Sequence, residues 1–242
     1  MKNITMKRYI FKYLKLNDYK FEYRLNMKLP NYLNDVMIGL LLSDGSLEKS
    51  SDTSNPRLSV IMSMKNLPYV LHLYNLFEPY INSGISFLNV NKYITVRFKT
   101  ISMPQLLYYH KIFYKKNDMI NKNEKVVPKE IEQRFNAISL AHLIMGDGNF
   151  LKERNLIRIY TNSFIKNDVE FLSFVMYKHL HIKSEVLYDR NNQYILVIKG
   201  DNVDITRNIV LPYMHPSFLY KVGINKDNLN LKFNYFNIKD YI

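Results

Sequence analysis

An apolar run that ends in one carboxylate and a glycine constrains this chain more than any other feature, and it occurs twice. Residues 37–45 read MIGLLLSDG and residues 140–148 read LAHLIMGDG. A repeat at nearly half the chain length predicts two similar halves facing each other. One Asp-Gly after an apolar helix is an ordinary turn signal. The duplication is what draws attention to Asp44 and Asp147.

The surroundings of the two runs follow one order. Before the first, Pro30 punctuates the chain, and Asn34 or Asp35 is the expected helix cap. After it, 48–56 reads as a loop. Residues 57–65 alternate with period two, placing Leu58, Val60, Met62 and Met64 on one face and Arg57, Ser59, Ser63 and Lys65 on the other. A helix is expected over 66–80, with Val70, Leu73, Tyr74 and Phe77 at helical spacing. Strands follow over 85–90 and 93–99, the second setting Ile94, Val96 and Phe98 against Thr95, Arg97 and Lys99. A helix near 103–114 closes the first half, and 115–125 reads as a charged connector. From Ser139 the order repeats: the motif helix, a loop at 152–155, and a strand over 156–162 with Arg158, Tyr160 and Asn162 on one face. Then come a helix over 167–180 with Val169, Leu172, Val175, Met176 and His179 as its apolar stripe, strands near 184–188 and 194–199, and a helix near 202–211.

Composition narrows the chemistry. Thirty-four Lys and Arg against 21 Asp and Glu give a net charge of +13, which implies a polyanionic partner. Nucleic acid fits better than a membrane surface, because the basic residues are interleaved with strand-like segments. Residues 1–30 are the extreme case, a basic, aromatic stretch read either as an arm along phosphates or as a partly ordered tail. Cysteine is absent, so any metal must be held by oxygen or imidazole. No apolar run approaches the roughly 18 residues of a spanning helix; a soluble protein is expected. The bias to Asn, Lys, Ile and Tyr suggests an AT-rich, organellar genome.

If the two apolar helices pack side by side, Asp44 and Asp147 emerge together at their C-terminal, negative ends. Two such carboxylates repel each other and call for a cation, and Mg²⁺ suits an oxygen-only donor set. Gly39 and Ser43, four apart on one helix face, would admit a neighbouring backbone, with Ala141 and Gly146 as partial equivalents.

The paired nine-residue stretches resemble the motifs of LAGLIDADG homing endonucleases of the single-chain, two-motif type. That resemblance implies an α+β fold of two pseudo-symmetric αββαββα halves with antiparallel, saddle-shaped sheets. Residues 1–30 would be an N-terminal arm, 31–134 the first half with its connector, and 135–242 the second half. It implies a monomer that cuts one phosphodiester on each strand of a long double-stranded DNA site, leaving 3′ overhangs and promoting mobility of its host intron. Asp44 and Asp147 would bind Mg²⁺ with the backbone carbonyls of Ser43 and Gly146. Lys125 and Lys221, in the segments 124–128 and 216–221 that resemble those ending each half in the family, would face the scissile phosphates. His142 stands where the family usually has a packing glycine, which puts the close contact of the second helix in question.

The exposed strand faces then offer Arg57, Ser59, Ser63, Lys65, Thr95, Arg97, Lys99, Arg158, Tyr160, Asn162 and Lys199 as DNA contacts, some to base edges and some to phosphate. The same basic surface would suit intron RNA, so a splicing maturase is the alternative function. A mitochondrial or other organellar matrix is the expected location.

Overall fold

The computed structural model describes residues 28–90, 93–117, 122–191 and 193–225. The arm expected over residues 1–27 lies outside the described residues. In chain order the first half contains α1 (Asn31–Leu41), β1 (Gly45–Glu48), β2 (Arg57–Ser63), α2 (Leu67–Leu76), β3 (Ser86–Val90), β4 (Tyr93–Lys99) and α3 (Leu106–Phe113). A two-stranded hairpin of β5 (Tyr114–Asn117) and β6 (Lys122–Lys125) follows. The second half contains α4 (Ala137–Asp147), β7 (Gly148–Leu151), β8 (Leu156–Tyr160), α5 (Lys166–Leu180), β9 (Glu185–Tyr188), β10 (Tyr194–Lys199) and α6 (Asp201–Val210). Each half is thus αββαββα. The sheets share one strand order, β1-β2-β4-β3 and β7-β8-β10-β9. No helix among the described residues is long and apolar enough to cross a membrane.

By contact the chain forms two compact units, one built on Ser46–His110 and the other on Asn31–Gly45 with the described residues from Lys111 onward. The division cuts across the sequence repeat because α1 packs along α4, so the first motif belongs with the second half. In the first unit, Leu58, Val60 and Met62 of β2 and Val96 and Phe98 of β4 are buried, as are Val70 and Leu73 of α2. Phe77 closes on Phe98 with ring centroids 6.3 Å apart. In the second unit the counterpart layer is Ile157, Ile159, Leu196 and Ile198, with Val169, Leu172, Val175 and Met176 of α5 also buried. Each such side chain contributes about 1.5–3 kcal/mol when removed from water.

Several local expectations change. The helix α1 begins at Asn31, directly after Pro30, so Asn34 and Asp35 lie inside it rather than capping it. Met64 leaves the alternation because β2 ends at Ser63 and a 3₁₀ turn starts; it is 38% exposed. The connector 115–125 is largely the β5–β6 hairpin, with Lys115 opposite Glu124 and Tyr114 opposite Lys125. His179 faces solvent, one step past the stripe that ends at Met176. Short strands β1 and β7, which the residue pattern alone did not single out, leave directly from the two motif glycines.

Candidate active site and nucleic-acid interface

The apolar motif residues form helices because they can bury almost every side. Leu140, Ala141, Leu143 and Ile144 of α4 and Val36, Met37, Leu40 and Leu41 of α1 are all fully buried, the mark of a helix enclosed on all faces. The glycine after each Asp has a steric cause. A Cβ on Gly45 would come 2.9 Å from the Leu40 carbonyl oxygen, and one on Gly148 would come 2.5 Å from that of Ile144. In both motifs the strand folds back over the last helical turn, and only glycine fits beneath it.

The same geometry accounts for His142. A Cβ on Gly39 would collide with the Ser139 carbonyl oxygen and lie 2.6 Å from the His142 Cβ, while a Cβ on Gly146 would lie 2.5 Å from Ser43 Cβ and Oγ. Gly39 and His142 occupy matching motif positions, as do Ser43 and Gly146. At each level one helix supplies the glycine and the other the side chain. The close approach expected to suffer at His142 is therefore kept, with the space provided by Gly39. Away from the carboxylates, the Asn136 side chain caps α4 at Ile138 N and Ser139 N, and its amide donates to Asp35 Oδ2 at 2.7 Å. Ser139 Oγ donates to the Asp35 carbonyl oxygen at 3.0 Å, so the two helices are also tied at their N-terminal ends.

At the other end, four charged groups gather within one unit. Lys125 Nζ donates to the carbonyl oxygens of Ser43 (3.1 Å) and Gly45 (2.7 Å). Lys221 Nζ donates to those of Met145 (2.7 Å) and Gly146 (2.5 Å). Each lysine sits on the turn of one motif, and the Ser43 and Gly146 carbonyls named from sequence are among their acceptors. Burial pushes Asp44 above the ordinary carboxylate range, against the pull of Lys221 and Lys125. Burial and then the charge of Asp44 push Asp147 up to about 7, against the same two lysines. Burial brings Lys125 down to about 8 and lowers Lys221, with both carboxylates opposing. Two buried carboxylates, one raised to about 7 by burial first and by its neighbour's charge second, form a site that favours added positive charge.

The donor set is two carboxylates and backbone carbonyls, all hard oxygen atoms that fit a small divalent cation. Among the described residues no three His, Cys, Asp or Glu side chains cluster to hold a metal by themselves. Residues 34–205 match the model of the LAGLIDADG DNA endonuclease family. The chain belongs to this family.

Relatives and solved structures agree with that membership. The chain is 29% identical to the cytochrome b mRNA maturase bI2 of Debaryomyces hansenii, covering 82% of this chain and 76% of that protein. It is 25% identical to the protein of the same name from Saccharomyces cerevisiae, covering 86% of this chain. There the chain spans about half the relative's length, 54%. The homing endonuclease I-WcaI, solved bound to its DNA recognition sequence, superposes with a TM-score of 0.75 at 19% identity, covering 89% of this chain and 98% of that one. That likeness shows the LAGLIDADG fold.

In the first LAGLIDADG sheet, strand register aligns Ser59 with Lys99, Ile61 with Arg97, and Ser63 with Thr95. Arg57, Arg97 and Lys99 share that face and are partly exposed. Lys65 follows on the 3₁₀ turn capped by Ser63. Ser59 is fully buried at the centre of the sheet; the long side chains around it close over a short one, so it is not available for contact. Sequence reasoning missed Glu48, which lies among these cations: Lys99 Nζ is 2.5 Å and Arg57 Nε 3.6 Å from its Oε2. Burial works to raise Glu48, but Lys99, then the Ser59 hydroxyl and then Arg57 hold it below the usual carboxylate range.

The second LAGLIDADG sheet is different. Arg158 and Tyr160 face the same way as Val197 and Ile195, their register partners. Leu156, Ile195 and Val197 are buried there, with Leu151 and Tyr160 packed against them. Lys199 is exposed and pairs with Glu185 at 2.6 Å. Asn162 falls beyond β8, in the turn closed by Phe164 N donating to Thr161 O at 3.0 Å, so it leaves the strand face on which it was expected.

Proposed function

We propose that this chain is a site-specific, double-strand DNA endonuclease of the homing type. It acts as a Mg²⁺-dependent monomer that hydrolyses one phosphodiester on each strand of a long site, leaving 3′ overhangs and promoting mobility of its host intron. The observation that carries the reading is the four-charge cluster, in which each motif contributes one buried carboxylate and receives one lysine on its turn carbonyls. Asp44 and Asp147 would hold the cation with the Ser43 and Gly146 carbonyls. When bound, a divalent cation supplies charge stabilisation at phosphoryl oxygens and a more acidic water. The chain's own part is to hold the two carboxylates close, and to hold two ammonium groups where charge develops on the phosphate. Lys125 and Lys221 are proposed for that role. The polar face of the first sheet and Arg158, Tyr160 and Lys199 of the second would contact DNA.

A second reading has support of its own: the two relatives described above are named mRNA maturases. Intron RNA is therefore proposed as the alternative partner. That naming for cytochrome b mRNA and the bias to Asn, Lys, Ile and Tyr support an organellar matrix as the proposed site of action, mitochondrial in the first instance.

Incubation with Mg²⁺ and a plasmid carrying the intronless host gene separates the readings. Discrete linear product that falls by about 10²–10³-fold or more in both Asp44→Asn and Asp147→Asn supports the nuclease. Absence of cutting together with tight, specific binding of the intron RNA would overturn it in favour of the maturase.

A further inference from the structure

On the first sheet, Glu48 lies among Arg57, Arg97 and Lys99, and it is held by two of them. Its Oε2 accepts from Lys99 Nζ at 2.5 Å and lies 3.6 Å from Arg57 Nε. The Glu48 and Lys99 side chains are 32% and 21% exposed, so the pair is only partly solvated and only partly screened. An isolated lysine on a four-carbon stem samples many rotamers and reaches phosphate as readily as a base edge. One fixed by a carboxylate at its root of approach presents its remaining donors in one direction. The corresponding lysine of the second sheet, Lys199, pairs instead with Glu185 across a contact whose side chains are 58% and 49% exposed, the kind of pair that constrains little. The residue matching Glu48 in the second half is Leu151, which packs into an apolar cluster.

We propose that Glu48 is a positioning residue for DNA reading: it fixes Lys99 and Arg57 so that they address particular base pairs, and it lowers the sheet's indiscriminate attraction to phosphate. The proposal rests on the endonuclease reading and assigns a specificity element to one half of the target. Two predictions distinguish it from a merely structural ion pair. Neutralising Glu48 should strengthen binding to unrelated DNA while weakening discrimination, and the weakened base pairs should be adjacent and confined to one side of the site's centre.

The test uses the full chain in metal-free buffer, where cutting is blocked, and selects from a randomised duplex library with wild type and variants in parallel. Glu48→Gln, which keeps the shape, should raise affinity for unrelated duplex several-fold and steepen the salt dependence by about 0.9 in the log–log slope, one added phosphate contact. It should erase preference over a short run of base pairs on one side only. Lys99→Met should erase preference at the same positions, Glu48→Asp should restore part of it, and Glu185→Gln should leave the profile unchanged. Thermal melting checks that each variant folds. A Glu48→Gln profile that superimposes on wild type, or a loss spread evenly over both sides, overturns the proposal alone. Wild type that enriches no duplex at all overturns the endonuclease reading, and this inference with it.

Discussion

The two halves agree at their motif helices and diverge on their sheets. At the helices, each half contributes the same groups in the same order: an apolar turn, an Asp, a glycine under the departing strand, and a lysine returning to the turn carbonyls. On the sheets, strand register matches Ser59 with Leu156, Thr95 with Ile195 and Arg97 with Val197, and the first strands match Glu48 with Leu151. Four polar positions of one face are apolar in the other. The chemistry of phosphodiester hydrolysis needs the same groups on each strand, so it holds the motifs alike. A reading face answers only to its own half of the target, and nothing ties its residues to those of its counterpart. On the proposed endonuclease reading, the comparison predicts a target that is not a palindrome, with more sequence discrimination under the first sheet.

The helix pair should resist change most. Gly39→Ala places a methyl against the Ser139 backbone, which cannot rotate away, and is expected to cost about 3 kcal/mol or more in chemical denaturation. Gly146→Ala meets side chains alone, Ser43 first and Asp44 Oδ2 at 3.3 Å, and should cost about 1–3 kcal/mol. Ser43→Gly should recover much of the second loss, whereas no change at His142 should recover the first. Equal behaviour of the two glycines would break the account of which helix supplies the space.

A smaller effect is expected at the lysines. Lys125→Met and Lys221→Met should each slow cleavage about 10²-fold. If each lysine serves one strand, each variant should accumulate nicked plasmid before linear product. Gel analysis of the time course would show it, and even slowing of both strands by either variant would remove the one-lysine-per-strand assignment.

Titration sharpens the comparison between the two carboxylates. With Asp147 near 7, a divalent cation must displace a proton at lower pH, so its affinity should fall by up to about tenfold per pH unit below 7, measurable by calorimetry with proton release. For the metal-free protein, the raised pKa makes the charged form of Asp147 unfavourable in the fold. The Asp147 contribution to stability should therefore be greatest below about pH 4 and decline as pH rises from about 4 to about 7. Asp147→Asn should flatten that slope. Lys125, lowered to about 8, has the complementary sign: the cost of holding its ammonium is full below 8 and is relieved as pH rises from 8 towards the ordinary lysine range. The smallest change is expected at Ser59. Ser59→Ala should shift DNA discrimination far less than Glu48→Gln, and stability by about 1 kcal/mol or less, because its buried hydroxyl is a lesser partner of Glu48 than Lys99 is.

Much of this was legible in the sequence because it depends on local pattern. The alternation in 57–63 and 93–99, the helical stripe of α5, and the repeated Asp-Gly each report a periodicity or a turn that neighbouring residues determine. Lys125 and Lys221 were legible through the family resemblance of their segments, supported by one following each motif at a similar distance. What could not be read depends on partners distant in the chain. Ser59 has the alternation of an exposed residue, yet Lys99, forty residues on, helps close over it. His142 looked like a defect in its own motif, and its explanation is a glycine in the other one. The run 115–125 lacks apolar alternation, so its pairing as a hairpin left no signal in composition. Asn162 continued a plausible strand that a turn at Thr161 ends.

That hairpin gives the middle of the chain an unexpected weight. Lys125 reaches the Ser43 and Gly45 carbonyls from β6, whose register against β5 decides which way the lysine points. One residue inserted into either strand would turn Lys125 to the opposite side, with no carboxylate or motif helix touched. For anyone exchanging halves between related chains, the seam therefore matters: a junction before residue 114 keeps the hairpin with the second motif, while one after 125 takes it from the chain that supplies the first motif.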